Sequence, residues 1–167
     1  PERFYPPPPT LPAVKTMGCH HHRRAPSQRV LGIRRRGHYR LIDGLLPQIF
    51  QYAMENGIPV AGMPAFLCHE CSPEAAQEAD RSGTADVEVI VPIAGDARPS
   101  GEIRVYTVPG GRMARAVHRG PCEGCESTFL RLFSWLAERG PIREVYLNDP
   151  REVPSEEIAT GICVPIG

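Results

Sequence analysis

Apolar residues along this chain follow two periods. At helical spacing stand Leu45, Leu46, Ile49, Phe50 and Ala53, and again Phe129, Leu132, Phe133 and Leu136. Each stripe predicts an amphipathic helix. Runs of strand length and strand alternation stand at 30–35, 65–70, 86–93, 103–108, 112–118, 143–149 and 158–166. Gly57 and Gly140 close the two helices, where a left-handed C-cap suits glycine. Pro47 fits a helix that begins near Leu45, with Asp43 near the N-cap and the proline in the first turn. Gly110-Gly111 reads as a hairpin turn between two strands.

The order of elements occurs twice. Residues 35–57 (RRGHYRLIDGLLPQIFQYAMENG) align without gaps on 118–140 (HRGPCEGCESTFLRLFSWLAERG), 83 positions apart, as between Gly37 and Gly120. Phe50 falls on Phe133, Glu55 on Glu138 and Gly57 on Gly140. Both halves close on Val-Pro-Ile, at 91–93 and 164–166, where proline ends a strand or sits on an edge. The expected fold is therefore α+β: two strand–helix–strand–strand units, about 29–95 and 101–167, sharing one antiparallel sheet with both helices on one side.

Composition narrows the function classes. Nineteen basic residues balance nineteen acidic ones, so no global field draws the protein to nucleic acid or an anionic membrane. The arginines at 23, 24, 29 and 34–36 cluster near the front and read as a solvated stretch. No apolar run approaches the roughly 20 residues of a membrane span. Residues 1–28, proline-rich and then basic, carry no helical pattern and read as a tail, without signal peptide or helix-turn-helix module. Six cysteines in an ordinary globular chain point to reduced thiols and the cytoplasm. A monomer or homodimer is expected.

In order, Gly37-His38-Tyr39, His118-Arg119-Gly120-Pro121, Leu132-Phe133-Ser134-Trp135-Leu136, Glu144-Val145-Tyr146-Leu147-Asn148-Asp149-Pro150 and Cys163-Val164-Pro165-Ile166 resemble the GyrI-like family, the effector-binding domain of MerR- and AraC-type regulators. The resemblance spans Arg29 to Gly167. It implies a curved sheet with a central groove that takes aromatic, often cationic, drug-like molecules over an acidic floor, here Glu144. It also implies a stand-alone member, because no DNA-binding part is visible. Some stand-alone members are described as hydrolases of cyclopropane-bearing toxins that use a glutamate beside aromatic rings.

Alternation places Glu144, Tyr146 and Asn148 on one face of their strand and Val145 and Leu147 on the other. A carboxylate beside a phenol suits an aromatic cation, and a carboxylate in an apolar groove has a raised pKa. Tyr39, Phe66, Tyr106 and Trp135 complete the expected lining; as an enzyme, the protein would use Glu144 with Tyr146. The plain alternative is that Glu144 pairs with Arg143 or Arg115 at the sheet surface, and that Trp135 is core. Direct nucleic-acid binding, a cofactor and a metal are not expected. Cys68–Cys71 and Cys122–Cys125 have the Cys-x-x-Cys spacing of half a zinc site or a redox pair, but they lie on different kinds of element, and the plainer reading is that Cys68 is a half-buried strand residue and Cys122 a substitution for a tyrosine. A regulator subunit that works through a separate DNA-binding part is the remaining reading.

Overall fold

Two connections of two residues each set the shape of the sheet. The computed structural model describes residues 21–70, 72–121 and 142–165. Its strands are β1 (His21–Ala25), β2 (Gln28–Gly37), β3 (Ala65–Cys68), β4 (Ala85–Pro92), β5 (Arg104–Val108), β6 (Gly111–Arg119), β7 (Ile142–Tyr146) and β8 (Ala159–Pro165). They form one sheet in the order β1-β6-β8-β7-β3-β4-β2-β5, antiparallel throughout. Pro26–Ser27 joins β1 to β2, and Pro109–Gly110 joins β5 to β6, although each link connects strands six places apart. In a flat sheet that gap would be ~29 Å. Two intervening residues reach only ~11 Å. The sheet must curl until its edges meet, giving the curved α+β architecture.

The two links touch where they cross. A Cβ on Gly110 would lie 2.4 Å from both Ala25 O and Ser27 N. Gly110 therefore marks a crossing and not a hairpin: β5 pairs with β2, while β6 pairs with β1 and β8. Residues 21–25, assigned to the tail on sequence alone, supply the edge strand β1.

Strands β2 and β6 occupy equivalent positions in the two halves, and β3 pairs with β7 at the seam between them. Between β2 and β3 runs α1 (Ile42–Glu55), preceded by a 3-10 turn at Tyr39–Leu41. Helix α1 starts earlier than its proline suggests. Asp43 lies in the first turn and Pro47 inside the helix, where the missing N–H costs one backbone bond. Gly57, at φ 62, stops the chain as expected, and Ile58 N closes on Ala53 O at 2.8 Å. Leu45, Leu46, Ile49 and Ala53 bury the apolar stripe against Leu31, Ile33, Val87, Val89 and Val91 of the sheet. Burying a side chain such as Ile49 contributes about 2–3 kcal/mol.

A second helix, α2 (Pro73–Ser82), has no counterpart in the sequence reading. Ser72 caps it through Ala75 N, Pro73 opens it and Gly83, at φ 68, ends it. Only Ala79 packs against the core, on the α1 side. The second apolar stripe, Phe129–Leu136, lies outside the described residues.

The crossing yields a paired prediction. Gly110→Ala should lower the unfolding free energy, measured by urea denaturation, by about 1–3 kcal/mol, because backbone blocks the new methyl. Gly44→Ala, in α1 with nothing within 4 Å, should be neutral or stabilise by up to ~1 kcal/mol.

Candidate functional site

Cross-strand register assembles the site at the seam of the two halves. Across four strands, Val89, Phe66, Glu144 and Ile162 stand directly opposite one another. Residues so opposed share a face. Phe66 and Ile162 both belong to the core beneath α1, so Glu144 projects on the helix-bearing side. Tyr146, two positions along, packs against that same core. Its neighbour Thr160 is fully buried. Glu144 and Tyr146 are half-buried, and Phe66 is buried.

Tyr39 joins them from outside the sheet. Its ring meets Phe66 edge-on, with centroids 5.5 Å apart at 69°, a geometry worth about 0.5–1.5 kcal/mol beyond burial. Both ends of the residue are held. Asp80 of α2 accepts from Tyr39 N at 2.7 Å, and the Tyr39 hydroxyl donates to Glu70 at 2.8 Å. His38 Nδ1 meets Asp80 O at 2.6 Å, and its ring lies beneath Gly83. Thus α2, with little core of its own, positions the aromatic wall.

Glu70 was not singled out from the sequence, yet it connects this wall to the sheet. It accepts from Asp86 N at 2.8 Å, from Tyr39, and from the Cys68 thiol at 3.5 Å. Burial works to raise the Glu70 pKa, but the donated hydrogen bonds outweigh it and hold the carboxyl below its ordinary value. Burial pushes the Tyr39 hydroxyl up, so it stays a donor, and pushes the Cys68 thiol up to about 12. Cys68 is thus a neutral, inert thiol. Its Cys-x-x-Cys partner Cys71, with Cys122 and Cys125, lies outside the described residues, as does Trp135.

The remaining expected residues separate from this group. Tyr106 lies on the opposite face, its ring against Gly32, where a Cβ would come within 2.2 Å of the phenol oxygen. It donates to Glu88, whose other oxygen takes His69 Nε2 at 2.5 Å. Arg34 grips Asp86 there with two bonds of 2.7 Å. Arg143 and Arg115 also face away from Glu144: both neighbour Cys163, which alternates with Ile162. Asn148 lies beyond the end of β7 and clasps the β7–β8 connection through Glu157 O and Ala159 N. Among the described residues no group of His, Cys, Asp and Glu could hold a metal ion.

The sequence profile of the GyrI-like small molecule binding domain matches residues 21–167. The chain belongs to the GyrI-like family. Solved structures agree on the fold. The EcmrR C-terminal domain superposes with a TM-score of 0.76 at 19% identity, over 89% of this chain and 97% of that one. EcmrR in its DNA complex gives 0.74 at 18% identity, over 88% of this chain but only 56% of the regulator's. SAV2435 bound to tetraphenylphosphonium gives 0.57 at 13%, over 90% and 94%. A hydrolase from Listeria innocua gives 0.58 at 12%, over 88% and 91%. No curated protein matches significantly. This GyrI-like chain has, among its described residues, no helix long and apolar enough to cross a membrane.

The Glu70 junction predicts a pH dependence. Its folded pKa is depressed, so its contribution to stability is present above the unfolded value of about 4.3 and is lost as pH falls through the folded value. Glu70→Gln should cost about 1 kcal/mol at pH 7. The gap between variant and wild type in urea midpoint should close as pH falls below about 4.

Proposed function

We propose that the GyrI-like groove binds a hydrophobic, aromatic cation, with Glu144 supplying the charge and Phe66, Tyr39 and Tyr146 the walls. The reading is supported by a single juxtaposition: a half-buried carboxylate directly opposite a buried phenylalanine, with two phenols on the same face. Aromatic faces attract a cation, most strongly when water is excluded, and a carboxylate among them adds direct charge pairing. Arg143 and Arg115, the surface partners suggested by the plain alternative, face the other way. SAV2435 in complex with tetraphenylphosphonium shows that a protein of this fold accommodates such a ligand. The protein would sequester a toxic cation or sense one for a partner.

Hydrolysis is the second reading, favoured by the same Glu144 beside a phenol and by the hydrolase among the structural neighbours. In it Glu144 takes a proton from water, which opens a bound electrophilic ring, and Tyr146 donates to the leaving atom. Incubation with cyclopropane-bearing alkylators separates the readings: ring-opened product lost in Glu144→Gln supports an enzyme.

Isothermal titration checks the binding reading. Tetraphenylphosphonium should bind, and Glu144→Gln should weaken it about tenfold, ~1.4 kcal/mol. Triphenylphosphine oxide, neutral and of similar shape, should bind the wild type and Glu144→Gln alike. An equal response of the cation to both proteins would sink the assignment of Glu144.

A further inference from the structure

On the face of the sheet away from α1, three neighbouring strands bring together Arg115 of β6, Cys163 of β8 and Arg143 of β7 in direct cross-strand register. At strand spacing the two arginine Cα atoms stand about 10 Å apart, with the thiol between them. The Arg115 guanidinium lies over Gly161: a Cβ there would come within 3.1 Å of Nε and 3.2 Å of Nη2. Glycine at 161 thus gives that guanidinium room to lie flat against the sheet. Arg143 donates from Nη2 to Pro109 O at 2.8 Å, whereas its Nε is buried and meets no acceptor among the described residues.

Neither guanidinium forms an ion pair with a described carboxylate. The arginines at the end of β2 are matched by contrast: Arg34 and Arg36 share Asp86, and Arg35 takes Glu102. Burial of Arg143 works against its charge, and only the Cys163 sulfur offsets that. The thiol is itself pushed up by burial, against the pull of both arginines, and so supplies little negative charge. Two arginines flanking one thiol, with a buried N–H that meets no acceptor among the described residues, form a receptor suited to an anion.

We propose that Arg115 and Arg143, with Cys163 between them, form a second binding site for a small oxygen-bearing dianion, a phosphate or a dicarboxylate. It is separated from the Glu144 groove by the thickness of the sheet, opposite to it in charge, and independent of the function proposed above. Guanidinium forks suit either anion because two parallel N–H groups match two oxygens. The anion would satisfy Arg143 Nε and cover the thiol.

The test uses the full chain, with inorganic phosphate and succinate as probes and sodium chloride at equal ionic strength as the control for screening. Thermal unfolding and the rate of iodoacetamide labelling at Cys163, mapped by mass spectrometry, are read together. One or both probes should raise the unfolding midpoint and slow labelling relative to chloride. Arg115→Gln and Arg143→Gln should each weaken that protection about tenfold. Protection by phosphate alone assigns a phosphoryl ligand, by succinate alone a carboxylate, and by both a general oxyanion site. Should Arg143→Gln fold poorly, Arg115→Gln carries the comparison, since Arg115 makes no hydrogen bond with a described residue. Labelling and unfolding in phosphate and succinate indistinguishable from chloride would overturn the proposal, as would protection that survives both substitutions.

Discussion

The antiparallel pairing of β3 with β7 is the constraint on which the structure depends. It joins the two halves, and its register sets Phe66 against Glu144. A slip of one residue would carry Glu144 to the other face and Val145 into its place. The register is held on both sides of the sheet. Phe66, Cys68 and Ile142 pack beneath α1, while Ala65, Leu67 and Val145 pack on the far side. The carboxylate is therefore kept among apolar groups by neighbours that could not move without exposing a core.

The curl gives this row its setting. Because β1–β2 and β5–β6 each cross with two residues, the edges of the sheet are drawn together around its centre. The curved sheet carries a carboxylate beside a phenol on each face, and the two pairs differ in kind. Glu88 and Tyr106 satisfy one another, with His69 on the second oxygen and Gly32 beneath the ring, which is the arrangement of a structural network. Glu144 and Tyr146 are half-buried at the seam, beside an aromatic wall that α2 and Glu70 hold from outside. Position on the sheet distinguishes the two pairs where residue type does not.

Much of this was legible in the chain, and what escaped did so for physical reasons. Apolar periodicity located α1 and the strands from β2 to β8, and the C-cap at Gly57 fell as expected. Alternation already places Arg143 on the face opposite Glu144. Helix α2 escaped because it buries little more than Ala79 and so has no apolar stripe, although Ser72, Pro73 and Gly83 are sound capping signals. Gly110-Gly111 has the sequence of a hairpin turn, but a hairpin needs consecutive strands to pair, whereas curl is a property of the whole sheet. Tyr106 could not be assigned a face, since alternation within one strand says nothing of which side bears the helix. Glu70 follows the end of its strand, where no periodicity marks it, and only the fold brings it to Tyr39.

The proposed function puts the aromatic cation at the helix-side seam and not on the far face. A crystal structure of the protein with tetraphenylphosphonium tests it most directly. The account predicts a phenyl group stacked on Phe66 or Tyr146 and the phosphonium centre within about 6 Å of a ring and close to the Glu144 carboxylate. A ligand seated instead beside Glu88 and Tyr106, or bound with Glu144 turned away from it, would contradict the account.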